Sequence, residues 1–556
     1  MTLSLNIDLD AILNKAQSEE HDLMRLAQGE HFLSPYYSQP HAGRYSTKPV
    51  PKYSIPDEGT TEAAAYELLK SELLLDGKPA LNLASFVQTW MPENAQRLMS
   101  ETLGINLCDQ DEYPATMAIH ARCISIISNL WKAPKHELAD DRSKAALGTA
   151  TTGSSEAIML GLLAAKRRWQ EKQKAEGKDV HKPGPNIVFG SNVHVAVEKF
   201  ARYWEVEERP VDIDESTNYC LSPKRAMEKV DENTIAVLVI MGSTYTGHYE
   251  PVEEMAQLLD EYQEKTGIDV PIHVDAASGG FVAPFATPDF KWSFEIPRVA
   301  SINASGHKFG MVFPGLGWII FRSANLVPRD LVFELHYLGS VEYSFGLNFS
   351  RPAAPVLGQM YNFINLGRSG YTAAMNDNLQ NARLLSRALE LSGLFLVVSD
   401  IHRPISDEAE KALSKSKAQH TDASNFKPGL PAVAFRWTDE FSRENPKLQQ
   451  RWLQVLLRIK GWIVPNYELS PSLQHVQIMR VVVRDTMTES MVAALLGDII
   501  AMTKQLATDS HAIPSHLAAL KEGSARHDPS QKRHGDAAHG RPHGHGDRPR
   551  GFNGQC

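Results

Sequence analysis

Lys308 follows Ser305-Gly306-His307 in a loop that leaves the apolar run Val299–Ile302. Upstream, the run Ile272-His273-Val274 ends in Asp275 and gives way to Ala276-Ala277-Ser278-Gly279-Gly280. A lysine amine can hold an aldehyde as a Schiff base. A carboxylate can keep a pyridine nitrogen protonated, so that the ring accepts electrons. An acid at a strand end and a lysine in a loop 308 − 275 = 33 residues later suit pyridoxal phosphate, and the small residues after Asp275 let a flat ring approach the backbone. A surface lysine between two strands is the plainer alternative for Lys308 taken alone. Gly153-Ser154-Ser155 opens an apolar helical stretch. Such a start offers backbone N–H groups and two hydroxyls at the positive end of a helix dipole, which seats a phosphate, although the same serines could be an ordinary N-cap.

The elements that must position these groups follow an alternating rhythm. Asn186–Phe189, Ala236–Met241 and Ile272–Asp275 read as strands, with helices over Val193–Tyr203 and Val252–Lys265. That predicts a mostly parallel sheet with helices on both faces and ligands at the carboxyl ends of its strands, where Thr244, Asp275 and Lys308 fall. Gly315 and Gly317 then predict a tight turn into a buried strand at Trp318–Phe321. The Ser154 helix extends to about Lys174. Helices are also expected over Leu9–Leu26, Thr60–Leu75 (stopped by Asp76-Gly77) and Glu93–Leu103. Glu334–Gly346 has few core-like residues and reads as a mobile loop. After a long helix over Pro355–Leu391 the rhythm changes. Strands at Leu394–Val398, Pro431–Trp437 and Val476–Val483, with a helix over Leu448–Lys460, predict a second, smaller α/β domain.

The motifs HVDAASGGF (273–281), SGHKFG (305–310) and GSSEA (153–157) occur in the order seen in the glutamate decarboxylase family, which the chain resembles from about Ile55 to about Arg484. The resemblance implies an α/β, pyridoxal-phosphate-dependent transferase-like fold of the aspartate aminotransferase type. It divides the chain into an N-terminal arm (1–54), a segment for the substrate site and dimer interface (55–115), a large cofactor domain (116–380), a small C-terminal domain (381–510) and a tail (511–556). It implies Lys308 as the Schiff-base lysine, Asp275 at the ring nitrogen and His194 stacked on the ring, where some bacterial members carry glutamine. Ser154, Ser155, Thr244, Ala277, Ser305, His307 and, from a partner subunit, Ser350 would hold the cofactor. Tyr337 would be a proton donor on a catalytic loop.

Ser85 (threonine in the bacterial pattern), Phe86, Asn106, Asp109 and Arg480 would bind the substrate. Asp109 beside a substrate carboxylate would make a like-charge pair that shares one proton. Taken alone, Asn106 and Asp109 are ordinary turn chemistry and His194 could be a satisfied core histidine. Arg484 reads as structural. The implied reaction is decarboxylation of L-glutamate to 4-aminobutanoate in a homodimer or higher homo-oligomer with shared sites. Decarboxylation of aspartate, cysteine sulfinate or an aromatic amino acid is the alternative, and an inactive binding homologue a more distant one.

Composition sets the remaining bounds. A length of 556 residues exceeds one ordinary core. A net charge of −9 argues against nucleic acid or an anionic membrane as the main partner. Cys108, Cys123, Cys220 and Cys556 form no CxxC pair, which fits a reducing compartment and gives no metal signature. Met1–Gln17 lacks the pattern of a secretory signal and no run suits a membrane span, so a cytoplasmic enzyme is expected. Lys521–Cys556 contains no Leu, Ile, Val, Tyr or Trp and reads as a solvated tail. A weak metal or anion binder is the other reading, from His539, His543 and His545. The tail also lacks the tryptophan and lysines of the calmodulin-binding end of plant family members, so calmodulin is not expected.

Overall fold

The structure, a computed structural model, describes residues 51, 53–134, 146–335, 342–415 and 423–508. The expected arm helix Leu9–Leu26, Tyr337 and the tail lie outside them. The chain divides into a unit of Met1–Gly77 with Ala518–Cys556 and a main unit of Lys78–Leu517. In the first, helix α1 (Glu62–Leu73) starts where Thr61 accepts the Ala64 N–H at 3.3 Å.

The main unit is built on a seven-stranded sheet. Its strands are β1 (Leu147–Thr151), β2 (Asn186–Gly190), β3 (Glu207–Val211), β4 (Thr234–Ile240), β5 (Ile272–Asp275), β6 (Val299–Ser305) and β7 (Gly317–Phe321), in the order β1-β7-β6-β5-β4-β2-β3. Strands β2 to β6 pair in parallel, and β7 is antiparallel to both neighbours. The reason lies in the connections. Helices α5 (Val195–Tyr203) and α6 (Val252–Thr266) carry the chain back between parallel strands, whereas residues 306–316 are too few for a crossover, so β7 must turn straight back. That turn carries Lys308. β2, β4, β5 and β7 are buried along their whole length, which is why they read as apolar runs. β3, with the sequence EERPV, is an edge strand, where charge and Pro210 are tolerated.

Helix α2 (Glu93–Glu101) and α3 (Pro114–Leu130) precede the sheet, and α4 (Ser154–Ala175) packs across β4, β5, β6 and β7. At Gly161 a Cβ would lie 2.6 Å from the His273 ring, so glycine there lets α4 close on β5. The residues expected to form a loop at Glu334–Gly346 include instead parts of two short antiparallel strands, β8 (Phe333–Leu335) and β9 (Glu342–Ser344), whose aromatic Phe333 and Tyr343 favour extended backbone.

Helix α7 (Ala354–Leu391) packs on α2 and α3 and runs on to a second sheet. That sheet contains β10 (Phe395–Val397), β11 (Ala432–Trp437), β12 (Asn466–Glu468) and β13 (Gln477–Val482), all antiparallel, in the order β10-β11-β13-β12. Helices α8 (Arg451–Ile459) and α9 (Glu489–Thr508) pack together beside it. α9 has the length and apolarity of a membrane span. Its buried residues, Val492, Leu495, Ile499, Thr503 and Leu506, recur every three or four positions, the stripe of a core helix. The expected second α/β domain is thus present. Residues 81–83, far upstream, are stitched to it: Leu83 donates to Ile463 at 3.0 Å, Ile463 to Leu81 at 3.0 Å and Val482 to Leu83 at 2.9 Å.

Candidate active site

Strand register places the acid. β5 and β6 pair His273 with Ser301 and Asp275 with Asn303. On these paired residues the side chains form a relay. The Asn303 amide donates to Asp275 Oδ1 at 2.8 Å, His273 Nε2 lies 2.9 Å from Asn303 Oδ1, and His273 Nδ1 lies 2.7 Å from Ser301 Oγ. The Ala277 N–H adds a bond to Asp275 Oδ1 at 3.1 Å. Both of these bonds go to Oδ1 rather than Oδ2. Burial holds His273 at about 4, with Asp275 opposing, so the ring is neutral and can both donate and accept. Sequence reasoning missed His273, Ser301 and Asn303. Their signal is the matching period of two, H-x-D on one strand and S-x-N on the next.

Lys308 enters from the β6–β7 turn. Its Nζ donates to Ser278 Oγ at 3.2 Å and stands 5.4 Å from the Phe86 ring centre. Desolvation lowers its amine to about 8, with Asp275 raising it and Arg480 lowering it further. His194 caps α5, its Nδ1 accepting the Ala196 N–H at 3.2 Å. Burial and the charge of Lys308 hold it below the usual imidazole range, while Asp275 pulls it up.

The start of α4 lies beside this lysine turn. Gly153 precedes α4 with no side-chain cap, Ser305 Oγ donates to Ser154 Oγ at 2.8 Å, and Ser155 is exposed. A Cβ on Gly153 would be 3.2 Å from the His307 ring, so the open end of the helix faces the lysine loop. His307 Nδ1 accepts the Leu316 N–H at 3.1 Å, and burial with the Lys308 charge lowers the ring to about 4. An uncapped helix start, an acid buried at 4 % exposure and a buried lysine amine are a donor set that fits pyridoxal phosphate.

Arg480 spans the two sheets. Its terminal nitrogens donate to the carbonyls of Thr244 and Ala84, it lies 4.7 Å over the Phe86 ring, and its buried Nε has no hydrogen-bond partner among the described residues. Ser85 Oγ accepts the Val87 N–H at 3.1 Å. Arg484 donates to the carbonyls of Val87, Asn82 and Pro79, the structural role expected of it.

Asn106, Asp109 and Ser350 gather elsewhere. Asn106 Nδ2 donates to Asp109 Oδ1 at 3.0 Å and to Ser350 Oγ at 3.4 Å, and its Oδ1 accepts the Arg351 N–H at 3.1 Å. Among the described residues none of the three hydrogen-bonds to Lys308, Asp275 or His194. Glu156 ties this loop to α4 by accepting from the N–H groups of Leu347 and Asn348 at 2.9 and 3.1 Å.

Comparison with known proteins agrees with this geometry. A family model described as the pyridoxal-dependent decarboxylase conserved domain matches residues 51–405. Glutamate decarboxylase of Saccharomyces cerevisiae is 42% identical over 490 residues, covering 85% of this chain and 82% of that protein. Glutamate decarboxylase of Petunia hybrida is 41% identical, covering 87% and 89%. The solved structure of a Lactobacillus brevis glutamate decarboxylase superposes with a TM-score of 0.74 at 36% identity, covering 84% of this chain and 97% of that one.

Proposed function

The chain belongs to the pyridoxal-dependent decarboxylases and, within them, to the glutamate decarboxylases; from that membership we propose how its residues remove the α-carboxylate of L-glutamate as carbon dioxide to leave 4-aminobutanoate. The observation that carries the reading is the buried pair formed by Asp275, fixed by Asn303 and Ala277, and Lys308, whose amine is lowered to about 8.

Pyridoxal phosphate is the cofactor, and when bound it supplies an aldehyde for an amine and a ring that accepts the electrons of the broken bond. Lys308 would hold the aldehyde, and its lowered pKa makes the neutral amine accessible near neutrality. Asp275 would keep the ring nitrogen protonated. His194 would cover one face of the ring, and Thr244 and Ala277 would lie near it at the strand ends. Ser154, Ser155, Ser305 and His307 would hold the phosphate. Lys308 or Tyr337 returns a proton to the α-carbon.

Phe86, Ser85 and Arg480 form the substrate side of the same chain. Because Asn106, Asp109 and Ser350 cluster apart from Lys308, we assign them to the active site of a second subunit in a homodimer: Asn106 and Asp109 toward the distal carboxylate of glutamate and Ser350 toward the phosphate. The setting is cytoplasmic synthesis of 4-aminobutanoate.

The test is a panel of glutamate, aspartate, cysteine sulfinate and aromatic amino acids scored for carbon dioxide release. Glutamate is expected to exceed every other by about a hundredfold or more in kcat/KM, the scale that a one-methylene mismatch such as aspartate supplies. A higher value for any other amino acid would reassign the substrate.

A further inference from the structure

Gln88 is 4% exposed and sits between the lysine turn and the second sheet. Its backbone N–H donates to the carbonyl of His307, the residue before Lys308, at 2.8 Å. Its side chain points the other way: Nε2 donates to Trp90 O at 2.7 Å and lies 3.0 Å from each carboxylate oxygen of Asp485. Three acceptors around one amide nitrogen leave the side chain a single orientation. Asp485 directly follows Arg484, whose guanidinium holds the carbonyls of Val87 and Asn82. The peptide at 87–88 is thus gripped by two adjacent residues beyond β13. Two residues earlier, Phe86 presents its ring to Lys308 Nζ at 5.4 Å. On its far side the lysine turn is held by Leu316, through the His307 ring and backbone.

We propose that Gln88, locked by Asp485, is a positioning residue for Lys308: it fixes the His307–Lys308 peptide and sets the face of Phe86 that the lysine amine meets. The proposal rests on Lys308 being the cofactor-bearing lysine. Neither Gln88 nor Asp485 need touch substrate or cofactor. Their effect passes through the placement of the lysine, and small displacements of a reacting group are costly in rate.

The test uses the cofactor-loaded full chain and follows three quantities: kcat against KM for glutamate, the pH midpoint of the violet absorption band of the lysine-bound cofactor, and melting temperature. In Gln88→Leu, kcat is expected to fall about tenfold or more with KM changed less than about threefold, and the band midpoint to move by about half a pH unit, a modest share of what misplacement of a reacting group can cost. Asp485→Leu should reproduce both changes. Asp485→Asn, which keeps an acceptor for Gln88 Nε2, should restore both to near the parent. A lower melting temperature in Gln88→Leu with parental kcat and band midpoint would reduce the residue to packing and overturn the proposal. If Gln88→Leu does not fold, the Asp485 pair decides: equal behaviour of Leu and Asn overturns it, and rescue by Asn supports it. A parent lacking the band would remove the reading of Lys308 and this proposal with it, whereas a parent with the band and variants identical to it would remove the proposal alone.

Discussion

At the scale of single residues, the chemistry depends on which buried groups carry charge. Asp275 is held by Asn303, which is held in turn by His273, so the acid is aimed by a fixed relay. Replacing Lys308 by Ala should abolish the violet band and nearly all turnover, and a borohydride-reducible bond to the cofactor in that variant would refute the assignment. Asn303→Ala should be milder. It removes one hydrogen bond to a charged group, a loss of about 1.5–3 kcal/mol, so kcat is expected to fall at least about tenfold while the cofactor stays bound. An unchanged kcat would mean that the Ala277 N–H alone orients the carboxylate. Lys308, Asp275 and the paired serines were legible in the sequence because each stands at the end of a strongly patterned element. Asn303, His273 and Gln88 were not, because their roles depend on strand register and on contacts across hundreds of residues.

At the scale of elements, the apolar central strands were legible and the polar ones were not. β1 reads LGTAT and lacks large apolar residues, and β3 is charged, yet both complete the sheet. The helix α3 was missed as well, though Pro114 opens it as a first-turn proline should. The long helix α7 was legible, but not its interruption. Gly367 takes φ 60° and ψ −173°, a conformation open essentially to glycine alone, in the middle of the element that runs between the two sheets. Gly367→Ala meets no steric neighbour within 4 Å, so its cost is backbone strain, about 1–3 kcal/mol. A melting temperature about 1–3 °C below the parent's is expected, since the unfolding entropy of a chain this long is about 1.2 kcal/mol per degree. An unchanged value would show that α7 can straighten without penalty.

At the scale of the whole molecule, buried titratable groups set the response to pH. Burial lowers His120, His273 and His307 to about 4, helped by Arg351 at His120 and Lys308 at His307 and opposed by Asp275 at His273. Below pH 6.5 the unfolded chain binds protons that these rings refuse until about pH 4, so stability falls with pH through that window, by about 1.4 kcal/mol per unit for each ring. Glu250 acts in the opposite sense. Full burial pushes it up to about 7 even though it accepts bonds from Ile240, Leu221 and Asn192. The folded state therefore keeps that proton longer than the unfolded one, and stability falls as pH rises from about 4.5 to 7. Where the windows overlap, three rings outweigh one carboxyl. The melting temperature of the cofactor-free protein should rise between about pH 4.5 and 6.5, and the rise should steepen in Glu250→Gln. A flat or falling curve would mean that the rings gain protons inside the fold.

The strap that ends at Gln88 is separated from Asp485 by 397 residues. A ribosome adding roughly 5–20 residues per second makes Asp485 roughly 20–80 s after Gln88. Through that interval Leu83 and Phe86, both buried in the finished molecule, wait on a nascent chain for a β13 not yet synthesised. The surroundings of Lys308 are therefore among the last parts of the protein to be completed, and a chain released before residue 485 would carry its lysine without the strap's anchor.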